Sequence, residues 1–323
     1  MVFKKMMRAF GVGGPSVDTV LANPNTRPGL ALDGQVRIQG GDHDVTIEQI
    51  VLGLVTRVES EQHGDGFMEF HRVAVAGMFQ LRAGEQRDIP FSFPIPWEAP
   101  ITDVYGQRLR GMTMGLRTEL AVAKAVDKGD LDEVAIHPLP VQERILEAFG
   151  QLGFRFKSAD LEHGGIYGVQ QQLPFYQEIE FYPPPQYAGA INEVEVTFIA
   201  DPQGVEVILE FDKRGGFLAP GRDSYGRYRV SHADADSTDW VAAVQSWVGE
   251  AAGRYQGLRS AGGFGAGGFG SGGHGYGHGH GHGRGPGMGA MAAGVAGGVV
   301  GGMILGEAVE EVFEDDGEDF GDE

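Results

Sequence analysis

Arg87-Asp88-Ile89-Pro90-Phe91-Ser92-Phe93-Pro94-Ile95-Pro96-Trp97-Glu98-Ala99-Pro100 is the stretch that decides the fold class. Phe91, Phe93, Ile95 and Trp97 alternate at period two, the signature of a strand with one apolar face. The prolines at 90, 94, 96 and 100 all share the other parity. Alternate residues of a strand aim their backbone donors at the same edge, so these prolines strip donors from one edge and leave the other intact. Such a segment belongs at the border of a sheet, paired on one side and blunted on the other. Its aromatic face needs a second layer to cover it, which predicts a β-sandwich.

The flanking sequence extends this pattern. Val36 and Ile38 alternate before Gly40-Gly41, residues 44–58 form a longer run, and residues 67–82 and 113–123 follow. Met114, Leu116, Thr118, Leu120 and Val122 share one face. Asn23-Pro24, Arg27-Pro28-Gly29, Gly40-Gly41 and Gly84 supply the turns between runs. Many short strands with few helices is the pattern of a sandwich, predicted here over residues 1–126. Residues 127–140, charged and ending in two prolines, read as a linker. His137 within it has no partner at ligand spacing and reads as structural.

A second domain is predicted over 141–255. Pro140 or Val141 opens a helix whose stripe is Val141, Ile145, Leu146, Phe149 and Leu152, closed by Gly150 and Gly153. Strands follow at 154–157 and 173–181. Asp201-Pro202-Gln203-Gly204 then joins two alternating arms with type I turn chemistry. Asp236 or Ser237 is the expected cap of a last helix carrying Trp240, Val244, Trp247 and Val248. This half reads as a second sandwich.

Composition narrows the function classes. The chain of 323 residues has no cysteine, so it holds no disulfide, thiolate metal site or cysteine nucleophile. The formal charge is −20, and residues 256–323 set Arg259 and Arg284 against ten acids. Both body and tail would repel nucleic acid, whose phosphates must be neutralised by Lys and Arg. Residues 1–10 place Phe3, Met6, Met7 and Phe10 opposite Lys4, Lys5 and Arg8. They suit either a short arm packed on its own domain or a membrane-surface helix, and lack the apolar run of a secretory signal.

At this point the residues match a known family. Val17-Asp18-Thr19-Val20-Leu21, Arg27-Pro28-Gly29 and Gly34-Gln35-Val36-Arg37-Ile38 resemble the opening of the bacterial sporulation-control (SpoOM) family. Ile89 to Pro96, Leu116-Arg117-Thr118 and Leu152-Gly153-Phe154-Arg155-Phe156 are similar to its later motifs. The resemblance covers roughly residues 1–255. It implies a mainly β protein of two arrestin-like β-sandwich domains in tandem, with a few short helices. It also implies control of sporulation and cell development, and offers no enzymatic residues to carry over.

No catalytic motif stands beside it. Gly263-Phe264-Gly265-Ala266-Gly267-Gly268 matches a dinucleotide fingerprint by letters alone, with no strand before it and no helix after it. Asp234, Asp236 and Thr238 begin like a calcium loop, but Asp239 and Gln245 stand where Gly and Glu are needed. Asp42-His43-Asp44 sits at a turn. The expectation is a non-enzymatic, cytoplasmic regulator that binds a protein partner and needs no cofactor.

Residues 256–286, glycine-rich, and 307–323, acidic, are expected to be disordered, and 287–306 conditionally helical. His274, His278, His280 and His282 are candidate ligands for Zn, Ni or Cu, and equally suit a polar spacer. Gly294, Gly298, Gly302 and Gly306 recur every four residues, a ridge for self-association if that segment is helical. The same segment could touch a membrane, which its acidic flank disfavours. The alternative function is therefore a metal-binding or membrane-tethered scaffold acting through the tail.

Overall fold

A computed structural model describes residues 13–59, 66–124, 128–187, 191–211 and 226–262. The side chains of residue 128 and of residues 255–262 fall outside that description. The candidate ligands His274, His278, His280 and His282, and the ridge Gly294, Gly298, Gly302 and Gly306, also lie outside the described residues.

The first half contains β1 (Ser16–Leu21), β2 (Asn25–Thr26), β3 (Ala31–Gln39), β4 (Val45–Val58), β5 (Gly66–Ala76) and β6 (Phe79–Leu81). There follow β7 (Gln86–Pro94), β8 (Asp103–Val104), β9 (Gln107–Arg108), β10 (Met114–Val122), β11 (Lys128–Glu133) and β12 (Ala135–Ile136). One sheet runs β1-β3-β7, and the facing sheet runs β11-β10-β4-β5 with β6 added to β4. Leu32, Val36, Ile38, Phe91, Phe93 and Ile95 from the first sheet meet Ile50, Leu52, Leu54, Leu116 and Leu120 from the second. This is the sandwich that the proline-spaced strand predicted, and Phe93 is fully buried in it.

β7 lies at the border and pairs only with β3, in the register Leu32↔Phe93 and Gln35↔Pro90. Just beyond it the Ile95 N–H donates to the Leu30 carbonyl at 2.8 Å, and the Ile95 carbonyl accepts from the Gly29 N–H at 3.1 Å. Odd-numbered residues therefore face the paired side, and the prolines at 90, 94 and 96 take the open side. The other borders are managed differently. The β1 edge is capped where the Thr19 N–H donates to Asp130 of β11 at 2.6 Å, beside a Thr19–Thr118 hydroxyl contact of 2.5 Å. On β5, Phe70 and Val75 fall out of register with β4 as bulges, which twist an edge away from further pairing.

The segment expected as a linker, residues 127–140, carries strands at Lys128–Glu133 and Ala135–Ile136. β11 pairs antiparallel with β10, and β12 pairs parallel with β2. The charges that suggested a linker belong to an outer strand, in which Asp130, Leu131, Asp132 and Glu133 are all half-buried.

The second half opens with α1 (Pro140–Gln151), in which Pro140 takes the first helical position and the Gln142 side chain accepts the Leu139 N–H at 2.8 Å. Gly153 ends it at φ +87°, and the Phe154 N–H returns to the Phe149 carbonyl at 3.0 Å. β13 (Arg155–His163), β14 (Phe175–Tyr182), β15 (Val194–Asp201), β16 (Gly204–Phe211) and β17 (Gly226–Ser231) form one antiparallel meander in that order. In the β15–β16 turn, Asp201 Oδ1 accepts from the N–H groups of Gln203 and Gly204, as the turn chemistry requires. α2 (Trp240–Gly262) starts later than expected. Residues His232–Asp236 form a tight 3-10 turn, so the cap is Asp239, whose side chain accepts the Ala242 N–H at 3.0 Å.

Among the described residues, the layer facing this second sheet is helical. Val141, Ile145 and Phe149 of α1, with Trp240, Val244 and Val248 of α2, share a core with Ile179, Val194, Val196, Val207 and Leu209. That core continues into the first half through Val58, Ile101, Leu109 and Met112. The protein is mainly β, and the two halves share a hydrophobic boundary.

Candidate functional site

Polar groups converge where the two halves meet. The buried Gln177 side chain of β14 crosses to Ile101: its Nε2 donates to the Ile101 carbonyl at 2.7 Å, and its Oε1 accepts the Ile101 N–H at 3.0 Å. Glu98 receives the N–H of Gln172 at 2.8 and 2.9 Å and that of Leu173 at 2.9 Å. The Glu59 N–H donates to the Leu161 carbonyl at 2.7 Å, and the Glu59 carbonyl accepts the His163 N–H at 3.1 Å. The Ala159 N–H reaches the Arg110 carbonyl at 3.2 Å. The outer edge of β13 is thus closed by backbone from the first half. Gly111, at φ +96°, lets that approach happen: a Cβ there would stand 2.2 Å from the Ala159 carbonyl oxygen.

A cleft of about 310 Å³ opens beside this junction, lined by His71, Pro94, Pro96, Trp97, Glu98 and Gln172. The Trp97 ring stacks on His232 of the second half, with centroids 5.2 Å apart. His71 sits edge-on to Phe93 at 5.2 Å. Burial lowers the His71 pKa, opposed by its hydrogen bond to the Pro94 backbone. With its proton committed there, Nε2 has no hydrogen-bond partner. A neutral imidazole in this position fills space and positions β5 against β7.

A second cluster lies on the face of the meander away from the helices. The register places Asp160 opposite Glu178, and Ser158 and Glu195 on either side of Glu180. Asp160, Glu162 and Glu178 offer oxygens within 4.8 Å of one another, as do Glu180, Glu193 and Glu195. Hard oxygen donors of this kind suit Ca²⁺ or Mg²⁺. Two local devices already offset the charge. Lys157 Nζ lies 3.0 Å from Glu180 and also bonds Glu193. Burial, then Glu178, Glu180, Glu59 and Glu162, pushes Asp160 up to about 8, so it keeps its proton at neutral pH.

His137 has partners that sequence spacing does not reveal. Its Nδ1 lies 2.8 Å from Asp103 Oδ1, and its Nε2 lies 3.0 Å from Asn25 Oδ1, 112 residues away. Asp44 of the Asp42-His43-Asp44 turn accepts the Ala83 N–H at 2.8 Å, and Asp234 accepts the Ser231 N–H at 2.7 Å. Both acids serve the backbone of their own turns. The long-range polar pairs leave no local period to read; only Gln177, a polar residue on the same parity as Phe175, Ile179 and Phe181, stands out in its strand.

These features define a two-domain, mainly β protein whose halves are locked by a polar and apolar junction. The family model for the SpoOM protein matches residues 3–215, and the chain belongs to that family. It is 34% identical over 253 residues to the sporulation-control protein spo0M of Bacillus subtilis (strain 168), covering 75% of this chain and 95% of that protein. The crystal structure of Spo0M from Bacillus subtilis superposes with a TM-score of 0.65 at 29% identity, covering 76% of this chain and 100% of that one. The chain is accordingly a member of the sporulation-control family. No helix among the described residues is long and apolar enough to cross a membrane.

Proposed function

We propose that the protein is a non-enzymatic, cytoplasmic regulator or adaptor that acts in bacterial sporulation or cell development by binding protein partners. The observation that carries this reading is the match to a sporulation-control protein over 95% of that protein's length. The junction supports binding over catalysis. Glu98 is committed to two backbone amides, and Gln177 to Ile101. Groups so committed hold the two halves in register. The test pairs a deletion strain with affinity capture from the native cell. The deletion should disturb development, and wild-type protein should restore it and retain a partner that Gln177→Ala releases. Normal development in the deletion strain would sink the reading.

The spacing of His274, His278, His280 and His282 supports a second reading, a metal-binding scaffold that takes Zn, Ni or Cu on the tail. Calorimetry with Ni and Zn on the full chain and on residues 1–255 separates the two. Equal affinity for both removes the tail site.

A further inference from the structure

The carboxylate of Glu98 is held in place without being neutralised. Its Oε1 accepts the Gln172 N–H at 2.9 Å, and its Oε2 accepts the N–H groups of Gln172 at 2.8 Å and Leu173 at 2.9 Å. Backbone amides are neutral donors: they fix the position of the group and leave its charge. Among the described residues no Lys, Arg or His forms an ion pair with it. Arg72, which follows His71 in β5, is shared by Glu69 and Glu119. Lys157 serves Glu180 and Glu193, and Arg227 and Arg229 serve Glu206 and Asp201. A carboxylate offers about four acceptor sites, so Glu98 keeps room for a further donor.

The cleft walls beside it are short of donors as well. Pro94 and Pro96 bring carbonyl groups to the lining and no N–H. The His71 side chain spends its proton on the Pro94 backbone, and its Nε2 has no partner. The Trp97 ring is clamped in the wall. It stacks on His232 with centroids 5.2 Å apart, and a Cβ on Gly29, at φ +76°, would stand 2.5 Å from it. This holds the ring back from the open space. The proline rings and Leu173 supply an apolar flank. A cleft of about 310 Å³ with an apolar flank and an unneutralised carboxylate is the complement of a cation on an aliphatic stem.

We propose that this cleft receives an arginine side chain of a protein partner, with the guanidinium on Glu98 and the stem along Pro94, Pro96 and Leu173. A guanidinium carries donors and no acceptor, which suits walls made of carbonyls, a carboxylate and a bare imidazole nitrogen. It is more weakly hydrated than an ammonium group, so it enters a cleft at lower cost. The formal charge of −20 on the chain draws basic partners toward it. The source of the side chain, a protein partner, rests on the regulator reading above; the preference of the cleft for a guanidinium does not.

The test titrates ¹⁵N-labelled full-length protein with N-acetyl-arginine amide and follows the Trp97 indole signal, assigned by its loss in Trp97→Phe. The signal should shift and saturate. N-acetyl-citrulline amide, the same shape without the charge, should bind about tenfold more weakly, the worth of one hydrogen bond to a charged group. Glu98→Gln should lose about as much, but it also loosens the grip on the Gln172 and Leu173 amides. Gln172→Lys avoids that problem. The Gln172 side chain is exposed on the cleft lining, so a lysine there supplies a resident cation and should abolish the shift. Gln170→Lys, exposed and off the lining, should bind like wild type. No saturable shift, equal binding of the citrulline analogue, or wild-type binding by Gln172→Lys overturns the assignment. Tighter binding of spermidine than of the arginine analogue also overturns it, and gives the cleft to a free polyamine. These measurements use pure protein and small probes. Their failure leaves the regulator reading standing, whereas normal development in the deletion strain removes that reading and leaves the guanidinium preference intact.

Discussion

The Gln177 side chain clasps the backbone of Ile101 on both sides, donating to its carbonyl at 2.7 Å and accepting its N–H at 3.0 Å, with both residues buried. One amide thereby satisfies two backbone groups that lie outside any sheet ladder at the join between halves. Gln177→Ala strands both of those groups away from water. The expected cost is about 2–5 kcal/mol, summed from two unsatisfied buried groups. Urea unfolding followed by tryptophan emission measures it. Gln177→Glu keeps an acceptor for the N–H but cannot donate when ionised, so it should also be destabilising at neutral pH.

The aromatic face of β7 gives a second prediction. Phe93 is fully buried between the two sheets. Phe93→Asp places a carboxylate among the apolar side chains between the sheets, and the expected loss is about 4 kcal/mol or more. Thermal melts of the two proteins decide this, and a melt like wild type would mean that the face is not core.

The opposite side of the same strand predicts a change in association rather than stability. Pro90 and Pro94 withhold donors from the open edge of β7. Replacing both with Thr restores those donors without touching the buried parity. The double variant should melt close to wild type but form larger species with rising concentration, detectable by light scattering. Unchanged size at all concentrations would show that the prolines do not guard the edge.

Asp160 gives a pH-dependent prediction. Its carboxyl is pushed up to about 8 by burial and by Glu178, Glu180, Glu59 and Glu162. The folded state therefore holds a proton that the unfolded chain releases near the ordinary carboxylate range. Stability from this group is fully present in acid and is lost as pH rises toward about 8. Asp160→Asn removes the titration. Its melting temperature should exceed wild type at about pH 8 and fall back toward it at about pH 4. A constant difference at both pH values would rule out the titration as the cause.

Local chemistry was what the sequence displayed. The prolines of β7, the Asp201-Pro202-Gln203-Gly204 turn and the stripe of α1 each act on residues within a few positions, so their meaning survives without coordinates. The remainder depends on neighbours far along the chain. β11 hides in charged residues because none of its described side chains is fully buried, so it carries no apolar alternation to read. The clasp between Gln177 and Ile101 spans 76 residues, and Asn25 meets His137 across 112. Nothing in their spacing announces either pair. Asp239 caps α2 in place of Asp236 or Ser237 because a 3-10 turn takes up His232–Asp236 first. Acids at 234, 236 and 239 cannot be ranked as caps until the path of that turn is known.

The closed outer edge of β13 has a consequence in time. Glu59 and Arg110, which pair with it, are synthesised before residues 155–163. A growing chain can finish its first sandwich while the second half is still being synthesised. When β13 emerges, its partner backbone is already in place, and the strand need never wait with bare amides in a crowded cell. A second half released on its own would lack that template, and its solubility would depend on the order in which the gene is read.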